Sequence, residues 1–434
     1  MKDIIKSILV EFQQRELPTI MKRKLLINTD LQIIVSIVGA RRSGKTYLLY
    51  QSMIELVAKG ISRKNIVFLN FEDERLILQT NQLDLILQAF SELYPDIKLN
   101  ECYFFFDEIQ NINGWEKFVR RIFDNYSKHI FITGSNAKFL STEIADSLRG
   151  RTLTYTVYPL NFIEYLEFKG VEFDTINPRK RAKVINNALQ FITEGGFPEV
   201  INFENDVRIK VLQSYFNTMI FRDIVERYKI NDVLVLKFFI KKLFANIGKP
   251  LSVNRIYNDL RSMGYKVSNN YLYEFEQYTY SVFLGISIPK FDYSEIKQAK
   301  SDKKLYAIDT GLLSAMEFSM SQNRGKLLEN TVLLELIKSD LEVYYFKDKF
   351  ECDFVVKKGM LLQPIQVCWQ IDNESTQIRE IRALIEVCRK IKVTKAQLIS
   401  FDQKRILTFD EIEIQVIPFY EWVREINYSL IINY

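Results

Sequence analysis

Histidine is all but missing from this chain: His129 is the single one in 434 residues. It stands just ahead of an apolar run and reads as a strand-edge residue, so chemistry built on an imidazole base is close to excluded. Cysteine is scarce as well. Cys102, Cys352, Cys368 and Cys388 are scattered with no C-x-x-C pair, which argues against a zinc site or a disulfide framework and for a reducing compartment. No apolar run reaches the roughly 18 residues needed to span a bilayer. The opening MKDIIKSILVEFQQRELP breaks a short apolar stretch with lysines and offers no small-residue cleavage site, so a secretory signal is not expected. Together these absences set the expectation of a cytoplasmic protein with no membrane partner. The net charge of +5 is small for this length; it permits an anionic partner without requiring one.

Glycine is sparse too, with 15 in the whole chain, and that makes its placement informative. Gly39-Ala40-Arg41-Arg42-Ser43-Gly44-Lys45-Thr46 fits G-x-x-x-x-G-K-[ST], a pattern that chance would give about once in two hundred such sequences. The loop follows the apolar run 31–38 (LQIIVSIV), which has the signature of a buried parallel strand. It precedes 45–59, whose apolar spacing is helical. In that setting glycines let the backbone curl so that successive N–H groups face phosphate oxygens, and the helix N-terminus adds partial positive charge. Lys45 would reach the β- and γ-phosphates, Thr46 would bind magnesium, and Tyr47 closes the candidate phosphate-binding stretch. The competing reading is a basic surface turn.

A triphosphate site calls for a second acid at the end of another strand. Tyr103-Phe104-Phe105-Phe106-Asp107-Glu108 supplies it: Asp107 for the magnesium shell and Glu108 to polarise the attacking water. FITGSN (131–136) ends a further strand in small polar residues, so Ser135 or Asn136 would contact the γ-phosphate or the water. SLRGRTL (147–153) carries Arg149 and Arg151, candidates for an arginine finger acting within one subunit or from a neighbour; the plain alternative is two solvated arginines beside a turn.

Apolar runs at 65–71, 102–107, 129–134 and 152–158 alternate with helical stretches, which implies an α/β unit, a parallel sheet with helices on both faces. From about 180 to 230 the pattern is helical, broken by TEGGFPEV. Residues 232–310 read as a small helical unit followed by a strand pair, with a Gly-centred turn and a Ser-Asn-Asn cap between two helices. Beyond 323 the pattern is mixed: a helix at 326–338, short strands EVYYF, CDFVV and PIQVCW, a helix near 375–390 and a strand near 396–401.

The stretches VGARRSGKTYLL, FLNFEDERL, YFFFDEIQNINGWEKFVRRI, FITGSNAKFL and LRGRTLTYTVYPLNFIEYL together resemble the bacterial and archaeal AAA-type ATPase family that carries a DUF4143 region. Looser matches continue through EGGFPEV, LYAIDTGLL and RGKLLENTVLLELI. The resemblance implies a P-loop NTPase domain over 1–170, a winged-helix-like domain over 232–318 and a PD-(D/E)XK nuclease-like domain over 319–434; the helical pattern between them reads as a lid or connector over 171–231, and the residues named below mark the last domain as degenerate. It implies ATP and magnesium as ligands. Glu329, Glu351 and Asp353 resemble the acids of the nuclease layout, but Gln366 and Cys368 stand where an acid and a lysine belong. A neutral amide is a poor magnesium ligand, and a thiol cannot supply the lysine's charge.

In the winged-helix-like stretch, Tyr271, Tyr273, Tyr278 and Tyr280 suggest packing, and Glu274 and Glu276 would face phosphates poorly. Arg255, Arg261, Lys266, Lys297, Lys300, Lys303 and Lys304 are the nearby cations. The expectation is an ATPase that couples turnover to rearrangement of its carboxy-terminal domains while acting on DNA or RNA. The alternatives are a nucleotide-controlled switch with a protein partner and an ATP-gated nuclease; a homo-oligomer is a further expected partner. No N-K-x-D motif follows the loop to favour guanine.

Overall fold

In the computed structural model, which describes residues 1–137, 147–316, 323–339, 341–372 and 374–429, all six residues of the first strand, β1 (Ile34–Gly39), are buried. The run IVSIVG carries apolar side chains toward both faces, which only a strand covered on both sides accepts. Four more strands join it: β2 (Ile66–Asn70), β3 (Tyr103–Asp107), β4 (His129–Gly134) and β5 (Thr152–Val157). Their order is β2-β3-β4-β1-β5 and every pairing is parallel. A parallel sheet brings all carboxyl ends to one edge, so Gly39, Asp107 and Gly134 finish side by side.

The phenylalanines fill the layers between sheet and helices. Phe105 of β3 and Phe131 of β4 stack across the ladder with centroids 4.5 Å apart and planes within 10°. The helix Trp115–Asn125 buries Trp115, Phe118, Val119, Ile122 and Phe123, one stripe at helical spacing. The opening helix, Lys2–Gln14, does the same with Ile5, Ile8, Leu9 and Phe12. His129 opens β4 half-buried and stacks on Tyr103 at 4.4 Å, a strand-edge residue as its sequence position suggests.

The chain divides after β5 into two units, Met1–Val157 and Tyr158–Tyr434. The second starts with helices, among them Pro178–Glu194, capped by Asn177 and opened by a proline at its first position. Three more follow, Val233–Ala245, Val253–Ser262 and Asn269–Ser281, the last two capped by Ser252 and Ser268. After them β6 (Gly285–Ile288) pairs antiparallel with β7 (Lys304–Ala307). Three of the four tyrosines noted in this stretch are engaged in packing or hydrogen bonding: Tyr278 stacks on Tyr228 at 3.8 Å, Tyr271 leans on Phe275, and Tyr280 donates to Glu276.

A six-stranded mixed sheet closes the second unit. Its strands are β8 (Glu342–Lys347), β9 (Glu351–Lys358), β10 (Leu361–Val367), β11 (Lys395–Ser400), β12 (Arg405–Phe409) and β13 (Ile412–Pro418), ordered β12-β13-β11-β10-β9-β8. The helix Arg324–Lys338 is buried continuously from Leu327 to Leu336 and packs against β8, β9 and β10. Two separated stretches, EGGFPEV and LYAIDTGLL, meet at Asp309. Its carboxylate accepts the N–H of Gly196 at 2.7 Å, of Gly311 at 2.8 Å and of Leu312 at 3.2 Å, so it caps one short helix and ties down a distant turn.

Asp309→Ala strips three N–H groups of their acceptor in a buried setting. It should lower the stability of the chain by about 3 kcal/mol, read as a shift in the urea midpoint at constant slope; an unshifted midpoint refutes the role given to this carboxylate.

Candidate functional site

The site is built at the carboxyl edge of the five-stranded sheet, where β1 gives way to a loop and the loop to the helix Lys45–Ala58. The loop turns by placing three residues at positive φ: Gly39 at 154°, Arg42 at 63° and Gly44 at 101°. Alternation of that kind makes a concave nest of backbone N–H groups, the shape that receives phosphate oxygens. Arg42 holds the left-handed region without being glycine, a local strain of the sort that clusters at ligand sites. Gly39 is required for a second reason. A Cβ there would lie 2.1 Å from the Val157 carbonyl oxygen of β5. Inside the loop, Ser43 donates its N–H to Ala40 at 3.3 Å, while its hydroxyl is buried with no hydrogen-bond partner.

Lys45 opens the helix and is only 5% exposed. Its ammonium donates to the carbonyls of Gly39 at 3.2 Å and Ala40 at 3.1 Å, and pairs with Glu108 Oε1 at 3.2 Å. The next residue, Thr46, donates its hydroxyl to Asp107 Oδ2 at 2.8 Å. Thr133, at the end of β4, donates to Asp107 Oδ1 at 2.5 Å and accepts the Glu108 N–H at 2.8 Å. Glu108 sits at φ 51°, a left-handed non-glycine position one residue past β3. Its carboxylate also accepts from the Ser135 N–H at 3.2 Å and from the Gln110 amide. Loop, strand end and neighbouring strand end are thus knotted into one polar cluster.

The two acids titrate in opposite directions. Burial, with the Glu108 charge behind it, pushes Asp107 up to about 6 against the hydrogen bonds from Thr133 and Thr46. Burial would raise Glu108 as well, but Lys45, Gln110, Arg41 and Ser135 outweigh it and hold Glu108 at about 2. The pair therefore carries one firmly ionised carboxylate beside one held above the ordinary carboxylate range.

Of the residues singled out from sequence, Gly39, Ala40, Ser43, Gly44, Lys45, Thr46, Asp107 and Glu108 meet here. Asn136 is buried directly after Ser135, at the same edge of the sheet. Arg41 pairs with Glu72 at 2.9 Å, just beyond β2, while Arg42 and Tyr47 are exposed. Arg149 and Arg151 lie elsewhere. The carbonyl of Arg151 accepts the N–H of Ile34 at 2.8 Å, at the start of β1, and its guanidinium pairs with Asp124. Five residues of extended chain, about 17 Å, separate that end of β1 from the loop.

Sequence reading passed over Thr133, Gln110 and Arg23. Thr133 stands inside a stretch already noted, but the alignment of β4 beside β3 is what makes it the bridge between both acids. Arg23 donates from Nη1 to the Ser43 carbonyl at 2.9 Å, holding the segment before β1 against the loop. Nothing in the pattern around it signals that contact.

These residues fit a magnesium-bound triphosphate. The nest, the helix N-terminus and the unpartnered Ser43 hydroxyl supply donors for phosphate, and Thr46 with Asp107 supplies hard oxygen ligands at one point. Comparison with known proteins agrees with that chemistry at the level of family. An AAA domain family matches residues 32–166, and two domains of unknown function, DUF8612 and DUF4143, match 186–324 and 324–422. The uncharacterised protein MJ1544 of Methanocaldococcus jannaschii is 35% identical over 431 residues, 93% of this chain and 92% of its own length. An uncharacterised protein of Haemophilus influenzae is 29% identical, covering 86% of this chain and 91% of that one. Among solved structures, that of the Aeropyrum pernix ORC1 protein in complex with DNA aligns over 74% of this chain and 92% of its own, with 12% identity and a TM-score of 0.29.

A carboxyl whose folded-state value lies above the ordinary one near 4 stabilises the fold fully at pH below that value and loses its contribution as pH rises through the folded value. For Asp107 the window runs from about pH 4 to the raised value of about 6. Across it, the nucleotide-free chain should lose about 2–3 kcal/mol that Asp107→Asn does not lose. Denaturation midpoints of both proteins measured through that range decide it, and parallel curves count against the assignment.

Proposed function

Because the chain belongs to the AAA-type ATPase family that carries a DUF4143 region at its carboxy-terminal end, we propose that it hydrolyses ATP with magnesium at the 39–46 loop and uses the turnover to act on nucleic acid. The observation that carries this reading is the hydroxyl of Thr46 on Asp107 at 2.8 Å, beside Lys45 on Glu108 at 3.2 Å. Those are four of the side chains that ATP hydrolysis of this type uses, in two contacting pairs at one sheet edge.

Each has a task that follows from its surroundings. The amides of the 39–46 loop and the Lys45 ammonium receive the phosphate oxygens. To do so Lys45 exchanges the Gly39 and Ala40 carbonyls and the Glu108 carboxylate for the substrate. That exchange removes the largest influence holding the Glu108 value down, so Glu108 gains basicity when the nucleotide is in place. Held by Ser135 N–H and Gln110, Glu108 then accepts the proton of the attacking water. Thr46 and Asp107 would hold magnesium, which when bound neutralises charge developing between the β- and γ-phosphoryl oxygens. Asn136 orients the water or the γ-phosphate from the next strand end. Arg149 and Arg151, at the opposite end of β1, serve the site of a neighbouring subunit, so full activity requires a homo-oligomer.

Support for nucleic acid comes from the exposed cations of the middle region: Arg255, Arg261, Lys266, Lys297, Lys300 and Lys303 are all at the surface of a stretch in which three helices precede an antiparallel strand pair. The exposed Glu274 on the helix Asn269–Ser281 favours the second reading, a switch with a protein partner.

Lys45→Ala should abolish ATP binding by calorimetry, and Glu108→Gln should keep binding while cutting turnover at least a hundredfold. Turnover equal to that of the parent in both variants rejects the site. DNA or RNA should raise the ATPase rate, with binding that weakens steeply as salt is added; a rate indifferent to either polymer moves the reading to the protein switch.

A further inference from the structure

The acids that resemble a nuclease layout do come together in the second unit, and a lysine lies among them. Glu329 comes from the helix Arg324–Lys338, and Glu351 and Asp353 come from β9. Lys304 of β7 has no exposed side-chain surface. Its ammonium is 2.7 Å from Glu351 Oε1, 3.6 Å from Asp353 Oδ1 and 3.8 Å from Glu329 Oε1. From sequence Lys304 counted with the cations available to a polyanion; its burial withdraws it from that list.

The remaining groups of the cluster are engaged as well. Glu329 accepts from the Tyr306 hydroxyl at 2.8 Å and from Lys326 at 2.5 Å, and Glu351 also pairs with Lys347 at 3.2 Å. Asp353 accepts the Val367 N–H at 3.0 Å. Gln366, standing where an acid would, takes the Asp353 N–H on its carbonyl at 3.0 Å and gives its amide to Glu380 at 2.5 Å. Cys368 gives its thiol to the Gln370 carbonyl at 3.0 Å.

We infer that Lys304 is the resident cation of this cluster, an ammonium supplied by the chain itself in the place where a nuclease-like fold holds a divalent metal, so that the site binds no metal and cleaves no phosphodiester. The charges support it. Three carboxylates face three lysines, Lys304, Lys326 and Lys347, and only Lys304 is wholly buried. A dication added there would meet an ammonium within contact distance in a poorly screened interior, and the next carboxylate, Glu380, is already paired with Arg379. Burial alone would discharge Lys304, but Glu329, Asp353 and Glu351 outweigh it and keep the amine charged. What the cluster does instead is mechanical. It bolts β7, and through it β6, to the six-stranded sheet, alongside backbone bonds between Phe291 and Tyr345 and between Tyr345 and Pro289.

The test uses the full chain, nucleotide-free, titrated with Mn²⁺ and followed by electron paramagnetic resonance. The parent and Asp353→Asn should bind the same number of ions. Lys304→Met should gain one, which the pair Lys304→Met with Asp353→Asn should lose again. A Mn²⁺ site in the parent that disappears with Asp353→Asn overturns the inference, and so does a folded Lys304→Met that gains none. Should Lys304→Met fail to fold by circular dichroism, the pair, which removes one charge of each sign, should fold; its failure overturns the inference equally. None of these readouts depends on ATP turnover, so they stand or fall apart from the proposed hydrolysis.

Discussion

A carboxylate taken out of water needs a cation within reach, and in this protein the cation is repeatedly a buried lysine. At the sheet edge Lys45 divides itself between two loop carbonyls and Glu108. Without it, Glu108 would be a buried anion held only by hydrogen bonds and the more distant Arg41 charge. In the second unit Lys304 plays the corresponding part for Glu329, Glu351 and Asp353. The two lysines differ in what surrounds them. Lys45 lies in a concave loop, and on the function proposed above it exchanges its partner for a phosphate. Lys304 has no open side from which an exchange partner would arrive.

The parallel sheet explains why the polar cluster can be so dense. Residues separated by 61 positions, Thr46 and Asp107, touch because β1 and β3 end on the same edge with β4 between them. Thr133 closes the gap because β4 pairs with both. No single segment carries the site; each contributes one or two residues at its carboxyl end, which is the usual way an open α/β sheet offers a crevice.

Sequence made the loop and the acids legible because their chemistry is local. Glycines at fixed spacing, a lysine and a hydroxyl at a helix start, and two acids after an aromatic run each keep their meaning without the fold. The strands were legible for a related reason, since runs such as IVSIVG and YFFFD have no other stable home than a doubly covered sheet. What stayed hidden depends on which distant elements become neighbours. Thr133 is an ordinary threonine until β4 sits beside β3. Lys304, next to Lys303 and after Ser301 and Asp302, looks like part of a solvated charged stretch; only the approach of the helix Arg324–Lys338 and β9 turns it inward. The spacing of Arg149 and Arg151 likewise says nothing of the strand end at which they lie.

Gly39 has one more effect. Its α-carbon passes so near the Val157 carbonyl that no side chain fits between them, and Val157 is the last residue of the first unit. The first turn of the phosphate loop therefore rests directly on the peptide through which the chain leaves for the rest of the molecule. The absence of a side chain at one position is what lets the first residue of the loop lie against the carbonyl that ends β5.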